Sequence, residues 1–76
     1  MAKIPQGARI PEHDYATHDE DEYCYVVSGS MIVTVDHVEY VITAGDATYI
    51  IAGEAHVTTN RADEVCEVVW TLVKPE

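Results

Sequence analysis

The sequence predicts an all-β fold, a sandwich or small barrel built from short strands. Three observations point there. Eleven valines, six isoleucines, seven threonines, five tyrosines and one tryptophan supply 30 of the 76 residues, against one leucine and no phenylalanine. Side chains that are aromatic or branched at Cβ are stiff at χ1 and fit a pleated surface. Six runs of this type are punctuated by turn residues at regular, short intervals. No segment carries a helical period of apolar residues.

Taken in order, residues 1–15 contain Pro5, Gly7 and Pro11 and little periodicity. They read as an extended arm with at most one edge strand, because proline is tolerated at edges and rejected by central strands. A charged run, His18-Asp19-Glu20-Asp21-Glu22, leads into a dense β-type run over 22–28 that Gly29 breaks. Residues 31–36 form a second strand, and Asp36-His37 predicts a two-residue hairpin turn into a third strand over 38–43. After the Ala44-Gly45-Asp46 turn, a fourth strand covers 47–51 and ends at Ala52-Gly53-Glu54. A fifth spans 55–59, and 64–73 form a long last strand.

Composition bounds the function. Fourteen acids against four bases give a net charge of −10. Such a surface repels phosphate backbones and anionic bilayers, so neither a nucleic-acid nor a membrane partner is expected. No apolar run approaches the length of a membrane span, and the N-terminus lacks the apolar stretch of a signal peptide. The two cysteines, forty-two positions apart, make no disulfide framework. A cytoplasmic protein with reduced thiols is the expectation.

One group of side chains has metal-ligand chemistry. His18 and Glu22 have equal parity, so an extended chain beginning by His18 points both to one face. His56 follows a glycine turn on a later strand. Two imidazoles and one carboxylate suit a divalent first-row ion (Mn, Fe, Co, Ni or Zn) with coordination positions left open. Thiolate-rich structural zinc fits poorly, since the cysteines lack a close pair. The alternative is that the three side chains line the barrel and hydrogen-bond one another.

The same residues resemble the cupin family. Its first motif runs glycine, five residues, His-x-His, three or four residues, Glu, six residues, Gly; here His18, Glu22 and Gly29 fall in register. Its second runs Gly, five residues, Pro-x-Gly, two residues, His, three residues, Asn; here Gly45, Gly53, His56 and Asn60 match. Three positions depart: Ile10 replaces the opening glycine, Ala16 the first histidine and Ile51 the proline. The Ala16 departure matters most, because it removes one of four ligands that the family typically offers.

The resemblance implies a double-stranded β-helix, or jelly-roll barrel, over residues 16–76, with the site inside it. It also implies a metal-dependent enzyme of dioxygenase, isomerase or lyase type acting on a small polar organic molecule. A non-catalytic small-molecule-binding or sensory module is the alternative. Candidate acids or bases beyond the ligands are Tyr49, on the strand leading into Gly53 and His56, and Glu20. Glu20 could also replace the missing histidine as a ligand. A homodimer is expected, because so short a chain leaves sheet edges open and the arm around Ile4 to Ile10 could join a partner's sheet.

Overall fold

Alternation of buried and exposed side chains builds two sheets. The structure is a computed structural model that describes residues 1–75. Its strands are β1 (Ala2–Ile4), β2 (Arg9–Ile10), β3 (Asp21–Ser28), β4 (Ser30–Val35), β5 (Val38–Thr43), β6 (Ala47–Ile50), β7 (His56–Thr59) and β8 (Cys66–Val73). The first sheet has the order β1-β8-β3-β6 and the second β2-β7-β4-β5. All the strand pairs are antiparallel. This is the predicted double-sheet jelly roll. No helix occurs among the described residues, so none is long and apolar enough to cross a membrane.

The core lies between the sheets. Cys24 and Val26 of β3, Met31 and Val33 of β4, Ile50 of β6, and Cys66 and Val68 of β8 close on Ile4 of β1. Burying a side chain such as Ile4 or Val68 stabilises by about 1.5–3 kcal/mol. On β3 the intervening Tyr23, Tyr25 and Val27 face out. Gly29 turns the chain from one sheet to the other at a φ of 82°. A Cβ there would stand 2.7 Å from the Val65 carbonyl oxygen, so the corner requires glycine. Asp36 and His37 both take positive φ and close the β4–β5 hairpin as expected without glycine.

The arm behaves differently from the expectation. Its two short strands pair within the chain, β1 with β8 and β2 with β7, and each sheet thereby gains a fourth strand. Within the chain the arm supplies an edge strand to each sheet. Asn60 fixes this arrangement. It is fully buried, its Nδ2 donates to the carbonyls of Ile4 (2.9 Å) and Glu64 (2.8 Å), and its Oδ1 accepts from the Ala62 amide (3.0 Å). Its role at the arm is therefore structural.

Candidate metal centre

Three elements bring the candidate ligands together. Glu22 stands on β3 with its side chain between the sheets, like Cys24 and Val26. His56 opens β7 on the opposite sheet, where it pairs with Val35 and, through a two-bond bridge, with Ala16. His18 precedes β3. An extended chain would hold His18 and Glu22 about 13 Å apart. A bend at Asp19-Glu20 folds His18 back instead, anchored by the Gly53 amide donating to the His18 carbonyl at 2.7 Å. Equal parity selected the right pair, but the bend makes them meet.

The resulting geometry is compact. Glu22 Oε1 lies 3.7 Å from His18 Nε2 and 3.6 Å from His56 Nε2. The two rings sit edge to face, 5.1 Å between centroids. One ligand atom from each residue lies within 4.8 Å of the others. His56 is almost wholly buried, and Glu22 and His18 are partly so. The separations are too long for hydrogen bonds. They are close to the roughly 3.0–3.6 Å between two ligands about 2.1 Å from one shared ion.

Hydrogen bonds from the far side of each ring decide the tautomer of the neutral imidazole. His18 Nδ1 lies 2.8 Å from the Glu20 carbonyl oxygen, and His56 Nδ1 lies 3.0 Å from the Glu54 carbonyl oxygen. A carbonyl only accepts, so each Nδ1 carries a proton and donates it. In the neutral rings, both Nε2 atoms then present lone pairs towards a carboxylate oxygen that also only accepts. Three acceptors converge with no donor among them. This is the arrangement that ligand histidines held by outer hydrogen bonds adopt, and a cation placed between them satisfies all three.

A cavity of about 240 Å³ opens beside the cluster, walled otherwise by Ile10, Ala16, Thr58, Trp70 and Leu72. Ala16 thus faces the site that its motif position assigns to a further ligand. The other candidates are placed elsewhere. Tyr49 pairs in register with Tyr23 on the outer face of the first sheet, and its hydroxyl donates to Asp21 at 3.3 Å. It does not line this cavity. Glu20 contributes its backbone carbonyl to His18, while its carboxylate is outside the cluster. Cys24 is a core residue, and burial pushes its thiol up to about 11, with the charge of Glu22 beside it adding to the shift. A thiol so raised is a poor nucleophile near neutral pH. The two outer carbonyls that orient the rings went unread in the sequence, because every residue carries a carbonyl and none marks itself.

The cupin domain family model matches residues 1–72. The chain belongs to the cupin domain family. A search of curated proteins finds no match to this cupin. Solved structures share its fold. A predicted oxalate decarboxylase from Thermotoga maritima superposes with a TM-score of 0.85 at 23% identity, over 96% of this chain and 62% of that one. A cupin 2 conserved barrel domain protein from Salinispora arenicola gives 0.79 at 20% identity, over 96% and 58%. The Cnp3 cupin domain of Schizosaccharomyces pombe gives 0.84 at 15% identity, over 96% and 49%. This cupin therefore spans less than two thirds of the length of each, and at these identities the likeness is one of fold.

Proposed function

We propose that this cupin binds a divalent first-row transition ion (Mn, Fe, Co, Ni or Zn) through His18, Glu22 and His56. One observation carries the reading: three acceptors converge at 3.6–3.7 Å, with both rings locked in the Nδ1–H tautomer by backbone carbonyls. The donor set fits such an ion, with two neutral imidazole nitrogens and one carboxylate oxygen. The chain's net charge of −10 favours a cation further. With Ala16 at the fourth position, space is left beside the cluster for a small polar organic molecule.

When bound, such an ion supplies Lewis-acid polarisation and open positions for a substrate. The chain's own residues do the rest. His18 and His56 keep their Nε2 lone pairs aimed inward, and Glu22 balances charge. Ile10, Trp70 and Leu72 supply an apolar wall to the cavity. With the cupin resemblance, we read the site as that of a metal-dependent enzyme of dioxygenase, isomerase or lyase type. A second reading, a non-catalytic binding or sensory module, draws on another observation. Thr58 is the one hydroxyl-bearing residue of the cavity wall, and no acid or base lines it besides the three ligands. Two buried free thiols suit the reducing cytoplasm read from the sequence, and we carry forward the homodimer.

Elemental analysis of tag-free protein, beside a His18→Ala/His56→Ala variant, tests the metal. About one equivalent lost in the variant supports the reading. No metal in either sample, even after incubation with Mn, Fe, Ni and Zn, overturns it. Turnover against a small-molecule panel separates the two readings. An enzyme loses turnover and keeps its fold on His56→Ala. A binding module shows no turnover and gains thermal stability with its ligand.

A further inference from the structure

A second cavity of the sandwich lies apart from the metal cluster. The arm ends the two sheets with β1 and β2; at their other ends, β6 borders the first sheet and β5 the second. Between β5 and β6 opens a cleft of about 460 Å³. That volume lies in the range of small-molecule sites. The cleft shares no lining residue with the cavity beside His18, Glu22 and His56. Parity builds its walls. Val38, Tyr40 and Ile42 of β5 turn to it together, beside Val33 of β4 and across from Ile50 of β6. Tyr40 and Tyr49 line it half exposed.

Its few polar groups say what fits. Asp36 and Glu54 line the cleft and also an adjoining cavity of about 350 Å³, so they stand where the two meet. No lysine or arginine lines either cavity. Among the described residues neither carboxylate has an ion pair or a hydrogen bond. Two unpaired acids beside an apolar wall attract a cation, and tyrosine faces favour an ammonium group in particular. The third polar group is the Thr48 hydroxyl. It is shut off from solvent and has no hydrogen-bond partner, and its cross-strand neighbour Cys24 offers only a thiol, a weak one. A buried hydroxyl left unpaired is costly, and a step between staggered χ1 rotamers re-aims it. Thr48 lies two residues, about 7 Å, before Ile50, and Glu54 follows the end of β6. The complementary molecule is cationic at one end, apolar in the middle and hydroxyl-bearing at the other. A bare metal ion leaves the apolar wall and Thr48 unused, and an anion meets two carboxylates.

We propose that the cleft between β5 and β6 binds an amphipathic amine, with its ammonium group held by Asp36 and Glu54, its apolar body against Tyr40 and Ile50, and its hydroxyl on Thr48. The site is separate from the metal centre and does not depend on it. Tyramine, an aromatic ring between a hydroxyl and an alkyl amine, is the probe, titrated at pH 7.5 and followed by methyl NMR. The methyls of Val33, Val38 and Ile42 are expected to shift and saturate with a Kd below about 1 mM, while Ile10 and Leu72 of the metal cavity stay still. The combined variant Asp36→Asn, Glu54→Gln should raise the Kd at least about 10-fold. Asparagine keeps the positive φ of residue 36 accessible, and an unchanged far-UV spectrum checks the fold. Phenethylamine, which lacks the hydroxyl, should bind wild type about 5-fold more weakly than tyramine, and Thr48→Val should remove that difference. No saturation, shifts confined to Ile10 and Leu72, or a Kd indifferent to the two acids overturns the site. Equal affinity of the two amines for wild type overturns the pairing with Thr48. If the acid variant unfolds, wild type alone decides: tyrosol, with a hydroxyl in place of the amine, should bind at least about 10-fold more weakly than tyramine, and equal binding refutes the proposal.

Discussion

Glu22→Gln separates a metal centre from an ion pair, because the two give opposite results. In the metal-free protein with both rings neutral, three acceptors face one another across 3.6–3.7 Å. A glutamine amide supplies the N–H donor that this arrangement lacks, and needs only a shift of about 0.6 Å to reach hydrogen-bond distance. One net hydrogen bond contributes about 0.5–1.5 kcal/mol. For a domain this small each kcal/mol moves Tm by about 4–8 °C, so metal-free Glu22→Gln should melt about 2–12 °C higher than wild type.

Metal reverses the order. An ion at a hundred times its Kd stabilises wild type by about 2.7 kcal/mol, a rise of about 10–20 °C. The variant lacks the anionic ligand and should show little of that rise. Differential scanning calorimetry of chelator-treated protein, with and without added Mn, Ni or Zn, reads both effects. A metal-free variant that melts lower than wild type, together with a retained metal shift, refutes the reasoning. It would mean that a protonated imidazole already satisfies Glu22.

Three further outcomes follow from the fold. Gly29→Ala should destabilise by about 2–4 kcal/mol in urea titrations, because its Cβ meets the Val65 carbonyl at 2.7 Å and φ is 82°. Asn60→Ala should cost about 2–5 kcal/mol, since it strands the carbonyls of Ile4 and Glu64 and releases the arm; faster amide exchange at Ile4 checks it. The folded Cys24 thiol is raised to about 11 from 9.0, chiefly by burial. The protonated form is the one favoured by folding, so this stability is complete below pH 9 and lost as pH rises through 11. The loss is at most about 3 kcal/mol, and a Cys24→Ala variant should flatten that part of the Tm profile.

The fold is legible in the sequence wherever a strand has one wet face. Cys24 and Val26 alternate with Tyr23 and Tyr25, and that pattern reports β3 without any partner. The arm is less legible, because strands of three and two residues carry no period. They become strands only through their pairing with β8 and β7. Tyr49 shows the same limit at the site. Its face depends on pairing with Tyr23, the outward neighbour of Glu22, and no local pattern states that register.

The chemistry of the site is further still from local pattern. His18, Glu22 and His56 are marked by motif spacing, but the spacing does not say which ring nitrogen holds the proton. That is set by the bend at Asp19-Glu20, which puts the Glu20 carbonyl on His18, and by the turn after Gly53, which puts the Glu54 carbonyl on His56. These two backbone contacts make the facing atoms acceptors rather than donors. In the neutral rings this leaves three acceptors facing one another, the arrangement that the proposed cation would satisfy. Replacing a histidine removes a ligand and its orienting bond together, and so confounds the two. Glu22→Gln keeps both locked rings and changes only what faces them, so it tests the metal reading without that confusion.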